Sequence, residues 1–253
     1  MELELTPLFI SILAITGLIS GVINTIAGGG SNLTLPALMM MGMPADAANA
    51  TNRVGVFMQS LAAIQGFSAH GKMPTHDLKG IMIPLCIGGL VGSISASFMP
   101  VSFLKPVLLF TMLSLSAVIL IRPSTVFPGP DETSKLVKGN VQAWWMLLFA
   151  GWYGGFVQAG VGFILIAAIG GTLRYDLVRT NALKVLAAGA FTLIALVVFI
   201  WRDQVMWVPG LILAASTVVG AKIGVKLSLN VDPKFMKWFL FVMTLAASAA
   251  AFL

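Results

Sequence analysis

The sequence predicts an all-α, polytopic membrane protein of two inverted repeats, each with one broken, re-entrant helix hairpin and three transmembrane helices. Three observations lead to this fold class. Hydrophobic residues make up 58% of the 253 residues and charged residues only 9%, whereas an ordinary globular domain is about a quarter charged. Apolar tracts of spanning length follow one another along the chain. Two further tracts exceed one span, and each contains a flexible break.

Complete spans need ~20 apolar residues, and six tracts fit that length. They cover residues 47–69, 78–98, 102–122, 180–201, 205–225 and 232–253. The loops between them are short, so we expect a single membrane domain over residues 1–253. Its first repeat is residues 6–122, its linker residues 123–140 and its second repeat residues 141–253.

The two oversized tracts are residues 6–43 and 141–173, which would measure ~57 Å and ~50 Å as straight helices at 1.5 Å per residue. Both exceed a hydrocarbon core of ~30 Å. Ala27-Gly28-Gly29-Gly30-Ser31 interrupts the first tract, and Gln158-Ala159-Gly160-Val161-Gly162 interrupts the second. Each tract is therefore predicted to be a broken helix, whose second half either continues across the bilayer or turns back.

The distribution of Lys and Arg favours the hairpin geometry, because these residues collect on the cytoplasmic side. With two hairpins, twelve of the fifteen Lys and Arg residues fall on one face. Only Arg53, Lys105 and Arg202 fall on the other. With two crossing tracts the split drops to roughly nine against six. We therefore expect both termini on the outer side of the membrane and the linker on the inner side.

An internal similarity supports the division into repeats. Gly17-Leu18-Ile19-Ser20-Gly21-Val22 precedes the first break, and Gly151-Trp152-Tyr153-Gly154-Gly155-Phe156 precedes the second. Ala50-Thr51-Asn52 recurs as Arg179-Thr180-Asn181 at a similar distance downstream. An odd number of crossings per copy orients the copies oppositely, as in many secondary transporters.

Irregular backbone at membrane depth lies inside the protein or lines a polar cavity, so both breaks indicate one central site. The short helix after each break directs its N-terminus inward, and helix N-termini bind anions. Tight helix packing is the competing interpretation of the glycines. The candidate substrate-binding residues are Gly28, Gly29, Gly30, Ser31, Asn32, Asn52, Arg53, Gln158, Gly160, Gly162, Asn181 and Lys184.

Arg53 and Lys184 lie close to apolar tracts, where an ionisable group is a functional hypothesis. Snorkelling to the surface is the alternative. Asn52 and Asn181 either bind substrate or hold the broken helices in place, because buried amides need partners. Asp46, His70, His76 and Asp77 are weak candidates for proton carriers, since their loop positions favour solvated roles.

Other function classes lack their residues. The chain contains no Walker-type phosphate loop, no His-Glu-x-x-His zinc helix and no Gly-x-Ser-x-Gly elbow, so we expect neither an enzyme nor a cofactor or metal site. Scattered basic residues argue against nucleic acid despite the net charge of +6. The expected partners are a small anionic substrate and the lipid bilayer, and a homodimer stays open.

Residues 17–67, with Gly28-Gly29-Gly30-Ser31, Leu35-Pro36-Ala37-Leu38, Gly42 and Ala50-Thr51-Asn52-Arg53, resemble the sulfite exporter TauE/SafE family. In the second half, Gly154–Phe163 and Asn181-Ala182-Leu183-Lys184 resemble that family's second repeat. The chain departs from the family at Arg53, where lysine often follows Thr-Asn, and in its second break, which lacks a glycine triplet.

The resemblance implies movement of sulfite, sulfoacetate, thiosulfate or a related organosulfonate across the bacterial inner membrane. We expect a secondary carrier that works by alternating access. An anion channel of the same architecture is the first alternative, and a non-transporting membrane enzyme or assembly partner is the second.

Overall fold

The structure, a computed structural model, describes residues 6–104, 106–107, 110 and 134–230, and all regular structure in these ranges is helical. The predicted tract 232–253, most of tract 102–122 and residues 123–133 of the linker lie outside the described residues. The helices are α1 Pro7–Ile26, α2 Ser31–Met40, α3 Ala45–Ala69, α4 Leu78–Phe98, α5 Val141–Phe156, α6 Val161–Ile166 with a π-helical continuation Ala167–Thr172, α7 Leu177–Trp201 and α8 Trp207–Asn230.

Local sequence explains where several helices begin. The Thr6 hydroxyl accepts from the Phe9 amide at 3.3 Å, and Pro7 occupies the first helical position, where its missing N–H costs nothing. Asn140 caps α5 by accepting from the Ala143 amide at 3.0 Å. Such side chains satisfy amides that have no partner inside the helix.

Helices α1, α4, α7 and α8 are long and apolar enough to cross a membrane. The predicted tracts 78–98, 180–201 and 205–225 correspond to α4, α7 and α8, which confirms an all-α, polytopic membrane protein. Tract 47–69 corresponds to α3, which spans 25 residues but buries several polar side chains. Large apolar residues such as Ile15, Phe149 and Val197 are more than half exposed on the outer helix faces, where lipid would cover them.

Both predicted helix breaks are confirmed, and the helix before each break ends in the same way. At the end of α1, the amides of Ala27 and Gly28 both donate to the Ile23 oxygen, at 2.6 and 3.1 Å. At the end of α5, the amides of Val157 and Gln158 both donate to the Tyr153 oxygen, at 2.8 and 3.3 Å. The residue after each C-cap is left-handed, a typical way to end a helix.

The second broken tract is a hairpin. The Lys135 amide, before α5, donates to the Leu173 oxygen, after the π-helical segment, at 2.7 Å. The Val137 amide donates to Asp77 Oδ2, before α4, at 2.6 Å. Residues 70–77, 134–140 and 173–176 therefore share one side of the molecule, which we call the basic face because Lys72, Lys135, Lys138 and Arg174 lie there.

The first broken tract is a hairpin from the opposite side. Helix α1 runs parallel to α8, since Gly21 lies against Gly220 and Thr25 lies against Gly224. Helix α8 begins beside the start of α3, because the Met206 amide donates to Thr51 Oγ1 at 2.9 Å. The start of α1 and the exit of α2 into α3 therefore lie at the same end, opposite the basic face.

In the described residues, helices from one half of the chain pack on helices from the other half. Helix α1 packs on α8 and α5 packs on α4, while α3 contacts α7 and α8 near the centre. Glycines allow the close approach, since a Cβ on Gly155 would lie 2.2 Å from the Gly89 oxygen. Small residues serve this purpose in membranes, and this packing brings both helix breaks to the middle of the molecule.

Candidate functional site

The tips of the two hairpins touch each other. Gly28 and Gly162 are buried and so close that a Cβ on Gly28 would lie 2.2 Å from the Gly162 Cα. The Gly162 amide donates to the Gly28 oxygen at 3.2 Å. Gly28 has a φ of +88°, which glycine adopts without strain. The sequence prediction that both breaks converge on one place is therefore confirmed by this contact.

Arg53 of α3 reaches from the first half to the end of α5 in the second. Its Nη1 donates to the Gly154 oxygen and to Gln158 Oε1. Its Nη2 donates to the Gly155 oxygen at 2.8 Å and, more weakly, to Asn49 Oδ1 at 3.3 Å. The side chain has no solvent exposure. The snorkelling alternative is therefore wrong for Arg53.

Neighbouring side chains hold this guanidinium in position. Asn49 Nδ2 donates to the Phe156 oxygen at 2.9 Å, so Asn49 is itself attached to the last turn of α5. Thr192 Oγ1 donates to Gln158 Oε1 at 3.2 Å. The Phe199 ring centroid lies 5.4 Å from Arg53 Cζ, within the range of cation–π attraction.

Lys184 of α7 makes the equivalent connection in the other direction. Its Nζ donates to the Thr25 oxygen, in the last turn of α1, at 2.9 Å and to Asn181 Oδ1 at 2.8 Å. It is 2% exposed, so snorkelling is wrong here too. Each half thus contributes one buried cation, which contacts the C-terminal end of the interrupted helix from the other half.

The electrostatics of these contacts favour the cations in place. The last carbonyl groups of a helix lack internal partners and carry the negative end of its dipole. Arg53 and Lys184 supply donors at those ends. Their hydrogen bonds to described residues all run to neutral oxygens, from main-chain carbonyls or from the amides of Asn49, Gln158 and Asn181. Their positive charges are therefore solvated by dipoles and are not neutralised by a carboxylate in these contacts.

Two buried donors in this cluster have no hydrogen-bond partner among the described residues. One is Arg53 Nε and the other is Asn181 Nδ2. The orientation of the Asn181 amide follows from chemistry, because an ammonium group only donates and must face the oxygen. Asn181 Nδ2 consequently points away from Lys184. Unpaired buried donors are rare in native proteins, which makes both atoms candidate ligand contacts.

Comparison with known proteins identifies the family. Residues 13–251 match the family model described as "Sulfite exporter TauE/SafE". The chain belongs to the sulfite exporter TauE/SafE family. It is similar to a "Probable membrane transporter protein" of Haemophilus influenzae, 25% identical over 240 residues that cover 95% of this chain and 93% of the relative. It is also similar to "Probable membrane transporter protein YfcA" of Escherichia coli K12, 24% identical, with 96% and 90% covered.

A third relative in the same comparison is "Probable membrane transporter protein ORF9" of a Sinorhizobium species, 23% identical over 94% of this chain and 90% of the relative. The similarity to all three spans nearly the full chain. This TauE/SafE chain is therefore a membrane transporter by family and by relatives.

Asn52 holds the first hairpin of this TauE/SafE chain together. Its Oδ1 accepts from Thr34 Oγ1 at 2.7 Å, and its Nδ2 donates to Ser31 Oγ at 3.0 Å. Both polar atoms are thus used to attach α2 to α3. Asn181, its sequence counterpart, contacts Lys184 instead, and its Nδ2 has no partner in the part of the chain that the structure describes. Asn52 therefore has the holding role that the sequence left open, and substrate binding by Asn181 stays a prediction.

The amides after the breaks are more occupied than the sequence predicted. Asn32 N donates to the Gly29 oxygen, and Phe163 N donates to the Gly160 oxygen. Gly162 N donates across to Gly28. The chain turns so tightly that first-turn amides reach carbonyls three residues back. In this conformation the two tips therefore bind each other, and the expected free N–H groups of Gly162 and its neighbours are not open to an anion.

Other predicted site residues pack around the tips. A Cβ on Gly29 would contact the Phe163 ring, and one on Gly30 would lie 2.3 Å from the Ser20 oxygen. Gly160 has a φ of +71° and is the N-cap residue of α6. Asn32 is 6% exposed, and its Oδ1 has no partner among the described residues. The contacts of Gly29 and Gly30 therefore agree with the interpretation that these glycines allow tight packing.

Asn49, Thr192 and the helix-end carbonyls were missed by sequence reasoning. Asn49 precedes Arg53 by four residues, so both lie on one face of α3, and this spacing could have indicated it. Thr192 carries no comparable signal, because its partner Gln158 is 34 residues away.

The weak proton-carrier candidates lie away from the tips. His70 is exposed and contacts the Gly66 oxygen at 2.8 Å, and Asp77 accepts from Val137 on the basic face.

Tyr175 also lies on the basic face. Burial, with a smaller contribution from Asp77, raises the pKa of Tyr175 above 10.0, and Arg179 partly offsets this increase. Two cavities, of about 380 and 230 Å³, open on this face and do not reach the tips.

Proposed function

We propose that this chain is a secondary transporter that moves a small sulfur-containing oxyanion by alternating access. Sulfite, sulfoacetate, thiosulfate and related organosulfonates form the substrate class. The observation that carries the proposal is the pair of buried cations, Arg53 and Lys184, whose described partners are all neutral oxygens. A buried charge is costly unless it is compensated, and an oxyanion would supply the opposite charge.

The unpaired donors support an anion over a cation or a neutral solute. Arg53 Nε and Asn181 Nδ2 are both N–H groups with no acceptor among the described residues. Oxyanions accept several hydrogen bonds, and charge-assisted bonds are about twice as strong as neutral ones. In the proposed complex the substrate oxygens accept from these two atoms, while Ser31, Asn32 and the tip glycines surround the substrate.

The contact between the tips favours a carrier over an open channel. Gly28 touches Gly162, so no gap separates the two hairpins at that point. The hairpins enter from opposite faces, and each tip is held by the cation of the other half. In the proposed cycle the tips separate to admit the anion and close again behind it, and one half moves relative to the other.

The sulfur-anion class is supported by the printed description of the family, a sulfite exporter. We place the protein in a bacterial inner membrane with the basic face in the cytoplasm, because Lys and Arg favour that side. Residues 6–122 and 141–253 form the two inverted repeats in this proposal. The packing of α1 on α8 and of α5 on α4, each between the two halves, supports this division. The transporter names of the relatives support a protein without enzymatic activity.

Counterflow in proteoliposomes tests the proposal. Vesicles loaded with unlabelled sulfite should accumulate external ³⁵S-sulfite transiently, because a carrier exchanges the two pools. Competition by unlabelled sulfoacetate and thiosulfate would define which anions of the class are accepted. Uptake without transient accumulation, together with single-channel currents, would show that the protein is a channel and not a carrier. Absence of protein-dependent flux for every anion of the class would remove the proposal.

A further inference from the structure

Gln158 has a backbone conformation that its side chain does not favour. It has a φ of +70°, in the left-handed region, and it is 2% exposed. Its counterpart at the first break is Gly28, and both residues donate their amides to the carbonyl five residues before them. Glycine would adopt this conformation without strain. Strained residues that persist at such sites indicate that the side chain is required there.

The side chain of Gln158 has a definite partner. Because a guanidinium only donates, the Gln158 atom that faces Arg53 Nη1 is the oxygen Oε1. The same oxygen accepts from the Thr192 hydroxyl at 3.2 Å. A neutral amide oxygen thus lies directly against a buried positive charge, which is the position that an oxygen of a bound anion would take.

Gln158 Oε1 is also the acceptor of Arg53 that can leave most easily. The Gly154 and Gly155 oxygens belong to the last turn of α5 and are fixed by the helix. Asn49 Oδ1 is attached through its own amide to the Phe156 oxygen. Gln158 Oε1, in contrast, moves by rotation about side-chain bonds.

We infer that Gln158 Oε1 is a stand-in for the substrate, and that an entering oxyanion displaces it from Arg53. This inference rests on the proposed function. The exchange replaces a neutral acceptor by a charged one, which Arg53 binds more strongly. Once displaced, the side chain no longer holds residue 158 in its left-handed conformation, so the tip of the second hairpin is freed to move. Gly28 has no such side chain, and substrate binding therefore releases the second tip only.

Two substitutions at this position should have opposite effects on affinity. Gln158→Gly keeps the backbone conformation but removes the side chain that competes with sulfite for Arg53. The apparent Kd for sulfite should therefore fall about threefold to tenfold, which corresponds to the loss of one competing neutral hydrogen bond. Gln158→Glu places a permanent carboxylate on Arg53, so sulfite binding should be lost while thermal stability is kept. Thr192→Val loosens Gln158 and should lower the Kd by a smaller factor.

Equilibrium binding of ³⁵S-sulfite to the purified full-length variants in detergent measures these effects, with Gln204→Ala as a half-buried glutamine control outside the site. A tighter Gln158→Gly variant and a non-binding, folded Gln158→Glu variant support the inference. Weaker binding by Gln158→Gly would mean that Gln158 only positions Arg53, and unaltered binding by Gln158→Glu would exclude contact with the anion. If Gln158→Gly does not fold, Gln158→Glu and Thr192→Val still decide. A wild-type protein that binds no sulfur anion would instead overturn the proposed function.

Discussion

Arg53 and Lys184 occupy matching places in the two halves but make different contacts. The guanidinium of Arg53 has four acceptors around it, including two main-chain oxygens of α5 and the tip residue Gln158. The ammonium of Lys184 has two described acceptors, the Thr25 oxygen of α1 and its own neighbour Asn181. The planar, five-donor guanidinium suits several fixed acceptors, whereas an ammonium is a compact point charge. We infer that the second hairpin is held more firmly than the first.

The different contacts of the two cations suggest different roles, one mainly in holding the structure and one mainly in transport. Arg53 attaches the end of α5 and the strained tip beside it, so its loss should affect both structure and transport. Lys184 attaches one carbonyl of α1 and carries charge, so its loss should affect transport more than structure. The predictions below test that division, from the largest expected effect to the smallest.

Arg53→Gln should have the largest effect. It removes a buried charge and leaves the Gly154 and Gly155 oxygens without donors, and each lost charged hydrogen bond costs about 1.5–3 kcal/mol. We expect sulfite flux in proteoliposomes to fall at least ~100-fold and thermal stability in detergent to drop clearly. Arg202→Gln is the control, since Arg202 lies over the Phe98 ring in a loop. Retention of half the wild-type flux would contradict the assignment.

Lys184→Met should reduce flux about 10–100-fold with a smaller loss of stability than Arg53→Gln. Methionine fills a similar volume but carries no charge, and two acceptors lose a donor where Arg53→Gln affects four. Flux and thermal unfolding of both variants, measured side by side, give the ratio of the two effects. Lys72→Met on the basic face is the matched control. A Lys184 variant less stable than the Arg53 variant would reverse the comparison.

Asn181→Leu and Asn52→Leu should separate binding from stability. Asn52 uses both polar atoms on Ser31 and Thr34, so its loss should destabilise the protein by about 1–3 kcal/mol. Asn181 Nδ2 has no partner within residues 6–104 and 134–230, so loss of this amide should weaken sulfite binding about tenfold at a smaller cost in stability. Chemical denaturation and ³⁵S-sulfite binding on both variants would show the division. Equal effects of the two changes on binding would refute it.

Tyr175→Phe should have the smallest effect, confined to alkaline pH. Because burial raises the pKa of Tyr175 above 10.0, the folded state keeps this proton more tightly than the unfolded state. That stabilisation is present below pH ~10 and is lost as the pH rises through the higher folded pKa. The variant should therefore lose less stability than wild type between pH 9.5 and 11. Parallel pH profiles for the two proteins would show that Tyr175 does not titrate differently on folding.

The fold and the meeting of the two breaks could be predicted because they depend on composition and on local backbone. Apolar length fixes the spans, and the glycine runs fix where helices α1 and α5 end. Arg53 and Lys184 could be selected because charges inside apolar tracts are rare. The distribution of Lys and Arg predicted both hairpins. For the second hairpin, the hydrogen bond between the Lys135 amide and the Leu173 oxygen agrees with that prediction.

The partners of the cations could not be predicted, since they cross between halves. Arg53 and the Gly154 oxygen are 101 residues apart, and every peptide group offers the same kind of oxygen. The left-handed conformation of Gln158 also escaped prediction, because no glycine marks this position. The π-helical segment Ala167–Thr172 had no sequence signal either. Long-range contacts and locally strained backbone therefore account for what the sequence leaves open.

A crystal structure with selenite, an anomalously scattering analogue of sulfite, tests the central claim most directly. The account predicts a selenium peak between the hairpin tips, with an anion oxygen about 3 Å from Arg53 Nε and another within hydrogen-bond distance of Asn181 Nδ2. Gln158 Oε1 should then have moved away from Arg53. A selenium site confined to the cavities of the basic face, with the contact between Gly28 and Gly162 unchanged at saturating selenite, would contradict it.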